Sequence, residues 1–301
     1  DIETHKILWT YSSPDRKPIH SVWFSPNDRY VVVGYFGGAM DVLDADVKSG
    51  QLVTGFTRHN KEVTSLQFLT DGKQVITASR DGSVRVWELN TGREVEETKS
   101  APYQGLKGIK IQAINPNNLN EVVTGDFDGA LFLWDRLTGK KLATDFEKGV
   151  DEISYLTFSK DGSCLLVAEG EKRIRVLDRV SRNELAVIRP ANGFLQVALS
   201  PDNERILTAS ANGRSQIWAP VHIKSDVTDT LGHAHNDIVI QASFSSDGSR
   251  IVTASYDKTV KVWDTESQKL LVVFRKHTHE LLKADFSPDS QRIVSVDSRG
   301  V

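Results

Sequence analysis

Short apolar runs recur along the chain at a regular spacing, separated by turns rich in Ser, Asp, Asn and Gly. Residues 63–87 (VTSLQFLTDGKQVITASRDGSVRVW) and 239–263 (VIQASFSSDGSRIVTASYDKTVKVW) align without a gap. One apolar marker residue precedes the first turn of each copy, and the markers are Phe24, Phe68, Ile114, Phe158, Leu199, Phe244 and Phe286. Spacings of 41 to 46 residues between these markers predict seven repeats.

Each repeat contains four short segments with the alternation of a β-strand. In the second repeat the pattern predicts strand a at 63–68, strand b at 74–79, strand c at 83–88 and strand d at 94–98. Such a sheet cannot bury both faces alone, whereas sheets stacked radially around an axis bury them. The sequence therefore predicts an all-β, seven-bladed β-propeller of four-stranded antiparallel blades, with residues 1–301 forming a single domain.

Two repeats end on a Trp-Asp pair, Trp134-Asp135 and Trp263-Asp264. In four others the pair is altered, to Trp87-Glu88, Trp218-Ala219, Leu177-Asp178 and Leu43-Asp44. A turn such as Ser200-Pro201-Asp202 precedes strand b in several repeats. Through these motifs the chain resembles the WD-repeat family over nearly its whole length, and the resemblance implies the same propeller fold.

In that family a His, a turn Asp, a strand-b Ser and the Trp indole form a hydrogen-bonded set of four, which we call a tetrad. The resemblance implies two complete tetrads, and their members are His59, Ser79, Asp81 and Trp87, and His235, Ser255, Asp257 and Trp263. Asp accepts, Ser both donates and accepts, and Trp only donates, so the set is chemically complementary. We therefore expect these His and Asp residues to be structural rather than catalytic.

The two ends of the chain resemble parts of one blade. Residues 1–8 are similar to the segment after a blade's Trp, where strand d begins, and residues 299–301 align with residues 81–83. We expect the last blade to be incomplete and closed in part by the N-terminal strand. The alternative is that both ends continue into further blades. In either case, we expect the chain to be a fragment of a longer protein with other domains.

Charge and composition limit the classes of partner that we expect for this chain. With 37 basic and 40 acidic residues, the net charge of −3 gives no basic stripe of the kind that binds nucleic acid. No apolar run reaches the roughly 20 residues that span a bilayer, so no membrane partner is expected. The single cysteine, Cys164, excludes an internal disulfide, which fits a cytoplasmic location.

The sequence contains no motif for catalysis or for a cofactor. A Walker A loop, a G-x-S-x-G elbow, H-E-x-x-H and C-x-x-C are all absent. The pairs His233-x-His235 and His277-x-His279 offer imidazoles, but His235 and His277 take the structural His position of their repeats. We therefore predict no enzyme activity, no cofactor and no metal.

The family resemblance implies that the b–c turns and the starts of strand a lie on one face, called the top face. The residues predicted to bind a partner there are Phe36, Glu62, Arg80, Phe127, Glu152, Asp237, Tyr256 and Glu280. Acids with aromatic anchors would suit a basic or amphipathic peptide. The alternative is that the aromatic side chains pack on neighbouring loops.

These patterns favour a protein-interaction scaffold or sensor domain that binds a peptide or domain on its top face. The sixth repeat is similar to bacterial repeat arrays attached to NTPase or kinase domains. Two alternatives remain: a substrate receptor of a ubiquitin ligase, and a propeller enzyme with a funnel active site. The receptor subgroup often has Trp-Asp-x-Arg, whereas Trp134-Asp135-Arg136 has its Arg one place early.

Overall fold

The structure is a computed structural model. It describes residues 2–4, 7–12, 19–35, 37–45, 50–69, 72–81, 83–95, 109–143, 146, 149–159, 161–218, 228–231 and 235–299. Over these ranges the regular secondary structure consists of 25 β-strands. No helix in the described ranges has the length and apolarity that crossing a bilayer requires.

The strands form antiparallel sheets in which consecutive strands are neighbours. The first sheet contains β1 (Ile19–Phe24), β2 (Tyr30–Tyr35), β3 (Met40–Asp44) and β4 (Leu52–Phe56). The second contains β5 (Val63–Phe68), β6 (Gln74–Ser79) and β7 (Val84–Glu88). The third contains β8 (Ile111–Asn115), β9 (Asn118–Gly125), β10 (Leu131–Asp135) and β11 (Lys140–Ala143).

The later sheets follow the same order. The fourth contains β12 (Ile153–Phe158), β13 (Cys164–Glu169), β14 (Arg173–Asp178) and β15 (Glu184–Ile188). The fifth contains β16 (Gln196–Leu199), β17 (Ile206–Ala209), β18 (Ser215–Trp218) and β19 (Thr228–Leu231). The sixth contains β20 (Val239–Phe244), β21 (Arg250–Ser255), β22 (Val260–Asp264) and β23 (Leu270–Phe274). The last contains β24 (Leu281–Phe286) and β25 (Ile293–Asp297).

The chain forms two compact units. In the unit of residues 37–39 and 56–191, apolar side chains of the second and third sheets share one core, and those of the third and fourth sheets share another. In the unit of residues 1–36, 40–55 and 192–301, the fifth and sixth sheets share a core, as do the sixth and last. Successive sheets packed face to face are the construction of propeller blades, which confirms the all-β propeller class.

Ser-containing turns fix the passage from strand a to strand b. At the sixth repeat, Ser245 Oγ donates to Asp247 Oδ1 at 2.6 Å and accepts from Arg250 N at 2.9 Å. The same pattern occurs with Ser200 and Asp202 in the fifth repeat. Because Gly248 has a φ of 72°, the left-handed position of this turn is filled by a residue that adopts it without strain.

The predicted count of seven four-stranded blades is not met. The described residues form six sheets of three or four strands, which we count as blades, and one two-stranded hairpin. In the second sheet the predicted strand d at 94–98 is reduced to a single bridge between Trp87 and Glu94, and residues 96–98 lie outside the described ranges. The hairpin β24–β25 corresponds to strands a and b of the seventh repeat.

The predicted closure of the last blade by the N-terminal strand is also not observed. Residues 7–12 form no strand. Strand d of a blade pairs with strand c, and the described part of the last repeat contains no strand c. The segment is instead held against the first sheet, where Tyr11 OH donates to Asp41 Oδ2 at 2.7 Å.

Candidate functional site

In four repeats a backbone hydrogen bond places the b–c turn beside the start of strand a of the same sheet. Arg80 N donates to Glu62 O at 3.0 Å, and Gly170 N donates to Glu152 O at 2.8 Å. The same bond joins Tyr256 N to Ile238 O and Ser298 N to Glu280 O. In these sheets the two sets of residues that the sequence assigned to the top face therefore lie together at the same end of the strands.

Five side chains of the second, third and fourth repeats form a cluster at this end of the strands, which we call the rim cluster. Its members are Glu62, Arg80, Lys110, Phe127 and Glu152. Arg80 Nε lies 3.2 Å from Glu62 Oε2, and Lys110 Nζ lies 2.7 Å from Glu152 Oε1. The Arg80 guanidinium carbon lies 5.4 Å from the Phe127 ring centroid, and Lys110 Nζ lies 5.9 Å from it.

The rim cluster places an aromatic ring between two cations, each of which is paired with an acid. Cation–π contacts of this kind contribute about 0.5–1 kcal/mol at exposed sites. The Arg80 and Glu152 side chains are each about half exposed, at 49% and 47%, so the cluster is open to a partner. Phe127 is half-buried. Glu62 and Glu152 are each paired with a cation of the cluster.

Sequence reasoning missed Lys110, which directly precedes β8. Its backbone N–H donates to Gly125 O at 3.0 Å, which fixes it beside the third b–c turn. The segment before it makes this repeat longer than its neighbours, so matching between repeats gave no signal for this position.

The remaining predicted top-face residues are not part of the rim cluster. Asp237 and Glu280 are exposed and Tyr256 is half-buried, all on the other compact unit. Asp237 Oδ1 accepts a hydrogen bond from Ile238 N at 2.7 Å, which fixes the start of β20. Phe36 lies outside the described residues.

The second repeat contains a buried chain of polar side chains. Trp87 Nε1 donates to Thr77 Oγ1 at 2.8 Å, Thr77 Oγ1 lies 2.7 Å from His59 Nε2, and His59 Nδ1 lies 3.2 Å from Asp81 Oδ2. All these atoms are satisfied when His59 carries its proton on Nδ1, because Thr77 can then donate to Nε2. The sixth repeat has the same chain in Trp263, Thr253, His235 and Asp257.

The prediction that Ser79 and Ser255 link His to Trp is therefore wrong. Ser79 Oγ instead donates to Lys61 O at 3.0 Å and accepts from Asp81 N at 3.1 Å, and Ser255 does the same in its turn. The register explains the difference, since Trp87 is opposite Val75. Ser79 is four residues further along the strand, about 13 Å away at roughly 3.4 Å per residue, whereas Thr77 is a diagonal neighbour.

Burial and hydrogen bonding shift the pKa values of the His and Asp residues in these two hydrogen-bonded sets. Burial lowers the pKa of His59 and outweighs the opposing effect of the Asp81 carboxylate, and the pKa of His235 is lowered by the same cause. For Asp81, burial acts to raise the pKa, but hydrogen bonds from Ser83 and from Asn60 N outweigh it and hold the pKa at about 2. His59 and Asp81 thus form a neutral imidazole that is hydrogen-bonded to a carboxylate, which fits a structural role.

The residue that accepts the indole hydrogen bond changes together with the Trp. Each Trp of strand c donates to a Thr ten residues earlier, in the pairs Thr77–Trp87, Thr124–Trp134, Thr208–Trp218 and Thr253–Trp263. Where Leu replaces Trp, the residue ten positions earlier is Val, in Val33–Leu43 and Val167–Leu177. A buried indole and a buried hydroxyl each need the other, so both polar groups are present or neither is.

The fourth repeat replaces the polar chain by buried charges. Glu169 is fully buried and forms an ion pair with Arg175, which is also fully buried. A second ion pair joins Arg173 Nη1 to Glu169 Oε2 at 3.2 Å. A buried carboxylate is tolerated only when it is paired, and two guanidinium groups provide that pairing.

Within the described ranges, no group of three His, Cys, Asp or Glu side chains is arranged to hold a metal ion. The metal candidate His235 is engaged with Thr253 and Asp257, and His277 with Ser295 and Asp297. His233 lies outside the described residues.

Stacked meander sheets, tandem Thr–Trp hydrogen bonds and turns fixed by Ser and Asp define a repeat protein with β-propeller blades. The WD40 family model, described as "WD domain, G-beta repeat", matches residues 50–88 and 226–264. These two stretches therefore match WD repeats, and the sheets around them have the all-β propeller construction.

Relatives with sequence similarity cover most of the chain. A guanine nucleotide-binding protein subunit beta of Zea mays is 23% identical over 280 residues, which cover 84% of this chain and 72% of the relative. The apoptotic protease-activating factor 1 of Rattus norvegicus is 24% identical, over 92% of this chain and 22% of the relative. The human cilia- and flagella-associated protein 52 is 25% identical, over 86% of this chain and 41% of the relative.

Proposed function

We propose that this chain is a non-catalytic protein-interaction scaffold that binds a peptide or domain of a partner at the rim cluster. The observation that carries the proposal is the contact of Phe127 with Arg80 and Lys110 at the exposed strand ends of the second and third sheets. Arg and aromatic side chains are the types that dominate interface energetics. A partner side chain that stacks on Phe127 would add to the contacts that Arg80 and Lys110 already make with this ring.

The charge pairing favours an amphipathic partner segment over a uniformly basic one. Glu62 and Glu152 each have a cation of this chain as neighbour, so they do not form an open acidic ring. An apolar side chain against Phe127, flanked by one acidic and one basic group, would match the alternating charges of the cluster.

The names of the relatives are consistent with a role exerted through other proteins. One relative is named as a subunit of a guanine nucleotide-binding protein, and another as a factor that activates an apoptotic protease. The second relative is much longer than the region matched by this chain, so its activity belongs to the proposal only as an analogy.

The hairpin β24–β25 belongs to the same series of sequence repeats as the six blades. Its marker residue Phe286 and its His277 occupy the same repeat positions as Phe244 and His235 in the sixth repeat. We further propose that the chain acts in the cytoplasm.

The two alternatives receive less support. The ubiquitin-ligase receptor reading depended on Arg136, but its Nε donates to Leu119 O at 3.1 Å and so holds the turn of its own sheet. The enzyme reading needs converging reactive groups, and the His residues of the polar chains are engaged in structural hydrogen bonds.

The test is a quantitative pulldown from lysate with variants of the rim cluster. Arg80→Ala and Phe127→Ala should each reduce recovery of the specific partner about tenfold or more, as removal of an interface hot spot does. Arg93→Ala is the matched control, because Arg93 is exposed on the c–d turn, at the other end of the same sheet. Equal recovery with all three variants, at unchanged thermal stability, would refute the assignment.

A further inference from the structure

Strand β24 carries two charged side chains at positions that are uncharged in every other repeat. Lys283 lies three residues before the marker Phe286, and Asp285 lies directly before it. In the other six repeats the position of the lysine is filled by Ser21, Ser65, Ile111, Tyr155, Gln196 and Gln241. None of the other six markers is directly preceded by a charged residue. The repeat pattern therefore does not require a lysine and an aspartate on this strand.

The two charged side chains lie on the face of β24 that is turned away from the apolar core. Successive residues of a strand alternate between its faces, and Ala284 and Phe286 are buried in the core shared with the sixth sheet. Lys283 and Asp285 are half-buried. The lysine is therefore shielded from most of the solvent but remains accessible to a small molecule.

The Lys283 side chain lies against an aromatic ring. Its Nζ is 4.5 Å from the centroid of the Trp23 ring, which belongs to β1. Within the described ranges, Nζ makes no hydrogen bond and no ion pair. An ammonium group has three N–H donors, so partial burial without a protein acceptor disfavours its charged form.

The carboxylate of Asp285 is engaged with other groups. Its Oδ1 accepts a hydrogen bond from Ser243 Oγ at 3.0 Å, and another from Phe286 N at 3.0 Å. These bonds hold the carboxylate at β20 and at its own strand, whereas Lys283 lies over β1. Asp285 therefore contributes a negative charge near the lysine without accepting a hydrogen bond from it.

These surroundings favour the free amine of Lys283. Burial lowers its pKa to about 8, although the negative charge of Asp285 acts in the opposite direction. The charged side chains of the neighbouring strands have other partners, since Arg250 of β21 donates to a backbone carbonyl and Asp297 of β25 pairs with His277. Strand β20 contains no charged residue. About half of the Lys283 amine therefore has a free lone pair at pH 8.

We propose that Lys283 is a site of covalent acylation by small acyl thioesters. The lone pair of Nζ attacks the thioester carbonyl carbon, an amide C–N bond forms, and the C–S bond breaks. The leaving thiolate takes up the proton that the amine loses. The product is a neutral amide beside Trp23, and its formation removes the cation near Asp285. This site lies outside the rim cluster and does not depend on the proposed function.

The test treats the complete chain with S-acetyl-N-acetylcysteamine, a small acetyl thioester, and follows the acetylation of each lysine by mass spectrometry. At pH 8 Lys283 should react about tenfold faster than Lys258, which is exposed in the b–c turn of the sixth sheet. The larger fraction of free amine favours Lys283, and its lower basicity and partial burial reduce this advantage to about tenfold.

The dependence on pH distinguishes a lysine with a free amine from one that is merely accessible. The rate at Lys283 should level off above pH 8, whereas that of an unstructured lysine peptide in the same reaction should rise up to its pKa of about 10.4. Asp285→Asn removes the charge that favours the ammonium form and should raise the rate at pH 7 about threefold or more. Asp264→Asn, at the c–d turn of the sixth sheet, is the matched control and should leave the rate unchanged.

The pH profile of the unmodified chain keeps the test valid if Asp285→Asn does not fold. The proposal is overturned if Lys283 reacts no faster than Lys258 at pH 8, or if its rate rises with pH as that of the peptide does. An unchanged rate in a folded Asp285→Asn variant would also overturn it. So would acetylation of Lys283 that occurs only after unfolding in urea, because the native chain would then shield the amine.

Discussion

Thr77 Oγ1 accepts the indole hydrogen bond of Trp87 at 2.8 Å, deep inside the second blade. Both side chains are buried, and the same hydroxyl contacts His59. This relationship recurs in every blade that has a Trp at this place on strand c, and it links strands b and c by side chains as well as by the backbone ladder.

Removing the Thr77 hydroxyl should destabilise the protein. Thr77→Val keeps the shape but leaves the Trp87 N–H and His59 Nε2 without their buried partner, at a cost of about 1–3 kcal/mol. Thr77→Ser keeps the hydroxyl and should cost less than half as much. Urea unfolding of both variants checks this, and equal losses would show that the methyl group rather than the hydroxyl matters.

The fifth blade allows the coupling between hydroxyl and indole to be measured without a histidine. Thr208→Val should cost about 1–3 kcal/mol in the native chain, because Trp218 Nε1 loses its acceptor. In a Trp218→Leu background the same change should be close to neutral, since Val with Leu is the pair that the first and fourth blades use. The measurement is a double-mutant cycle on unfolding free energies.

An additive result in that cycle would contradict the account. It would mean that Thr208 and Trp218 act independently despite their separation of 3.0 Å.

The lowered pKa of His59 and His235 predicts a loss of stability in acid. Their pKa values in the folded state are below the ordinary 6.5, so the unfolded chain binds more protons as pH falls below 6.5. Stability should be full above pH 6.5 and should fall below it, by at most about 1.4 kcal/mol per pH unit for each histidine. The low pKa of Asp81 has the same sign and acts between pH 3.8 and about 2.

Denaturant unfolding between pH 7.5 and 5 checks this prediction. The variant His59→Gln/His235→Gln should start from a lower stability at pH 7.5 and lose much less of it on acidification. A variant with the same slope as the native chain would show that other groups take up the protons.

Buried charge in the fourth blade should be sensitive to neutralisation. Glu169→Gln leaves Arg175 buried without its carboxylate and should cost about 3–5 kcal/mol. Glu184→Gln is the matched control, because Glu184 also pairs with Arg173, at 2.9 Å, but is more exposed and should cost less than about 1 kcal/mol. Thermal unfolding distinguishes the two, and comparable losses would contradict the role given to Glu169.

The repeat period made the strands predictable, because one apolar marker ends or nearly ends each strand a. Phe24, Phe68, Phe158, Phe244 and Phe286 are all final residues of their strands. The predicted spans 63–68 and 74–79 match β5 and β6. Periodicity carries this information because alternate residues face the core of a stacked sheet.

Side-chain partners were less predictable. Ser79 and Thr77 lie on the same face of β6, so alternation could not distinguish them, although the constant ten-residue offset between Thr and Trp was visible in the sequence. Lys110 joins the rim cluster partly through its ion pair with Glu152 of the next repeat, which no pattern within one repeat encodes. The prediction that the N-terminal segment pairs with the last blade was wrong. Strand d pairs with strand c, and the described part of the last repeat contains no strand c.

The most direct test of the scaffold account is hydrogen exchange of the chain with and without a captured partner. The account predicts slower exchange at the b–c turns of the second and third sheets, around Arg80 and Phe127, and at Lys110, with no change at the c–d turn around Arg93. Protection confined to the c–d turns, with the rim cluster unchanged, would contradict it.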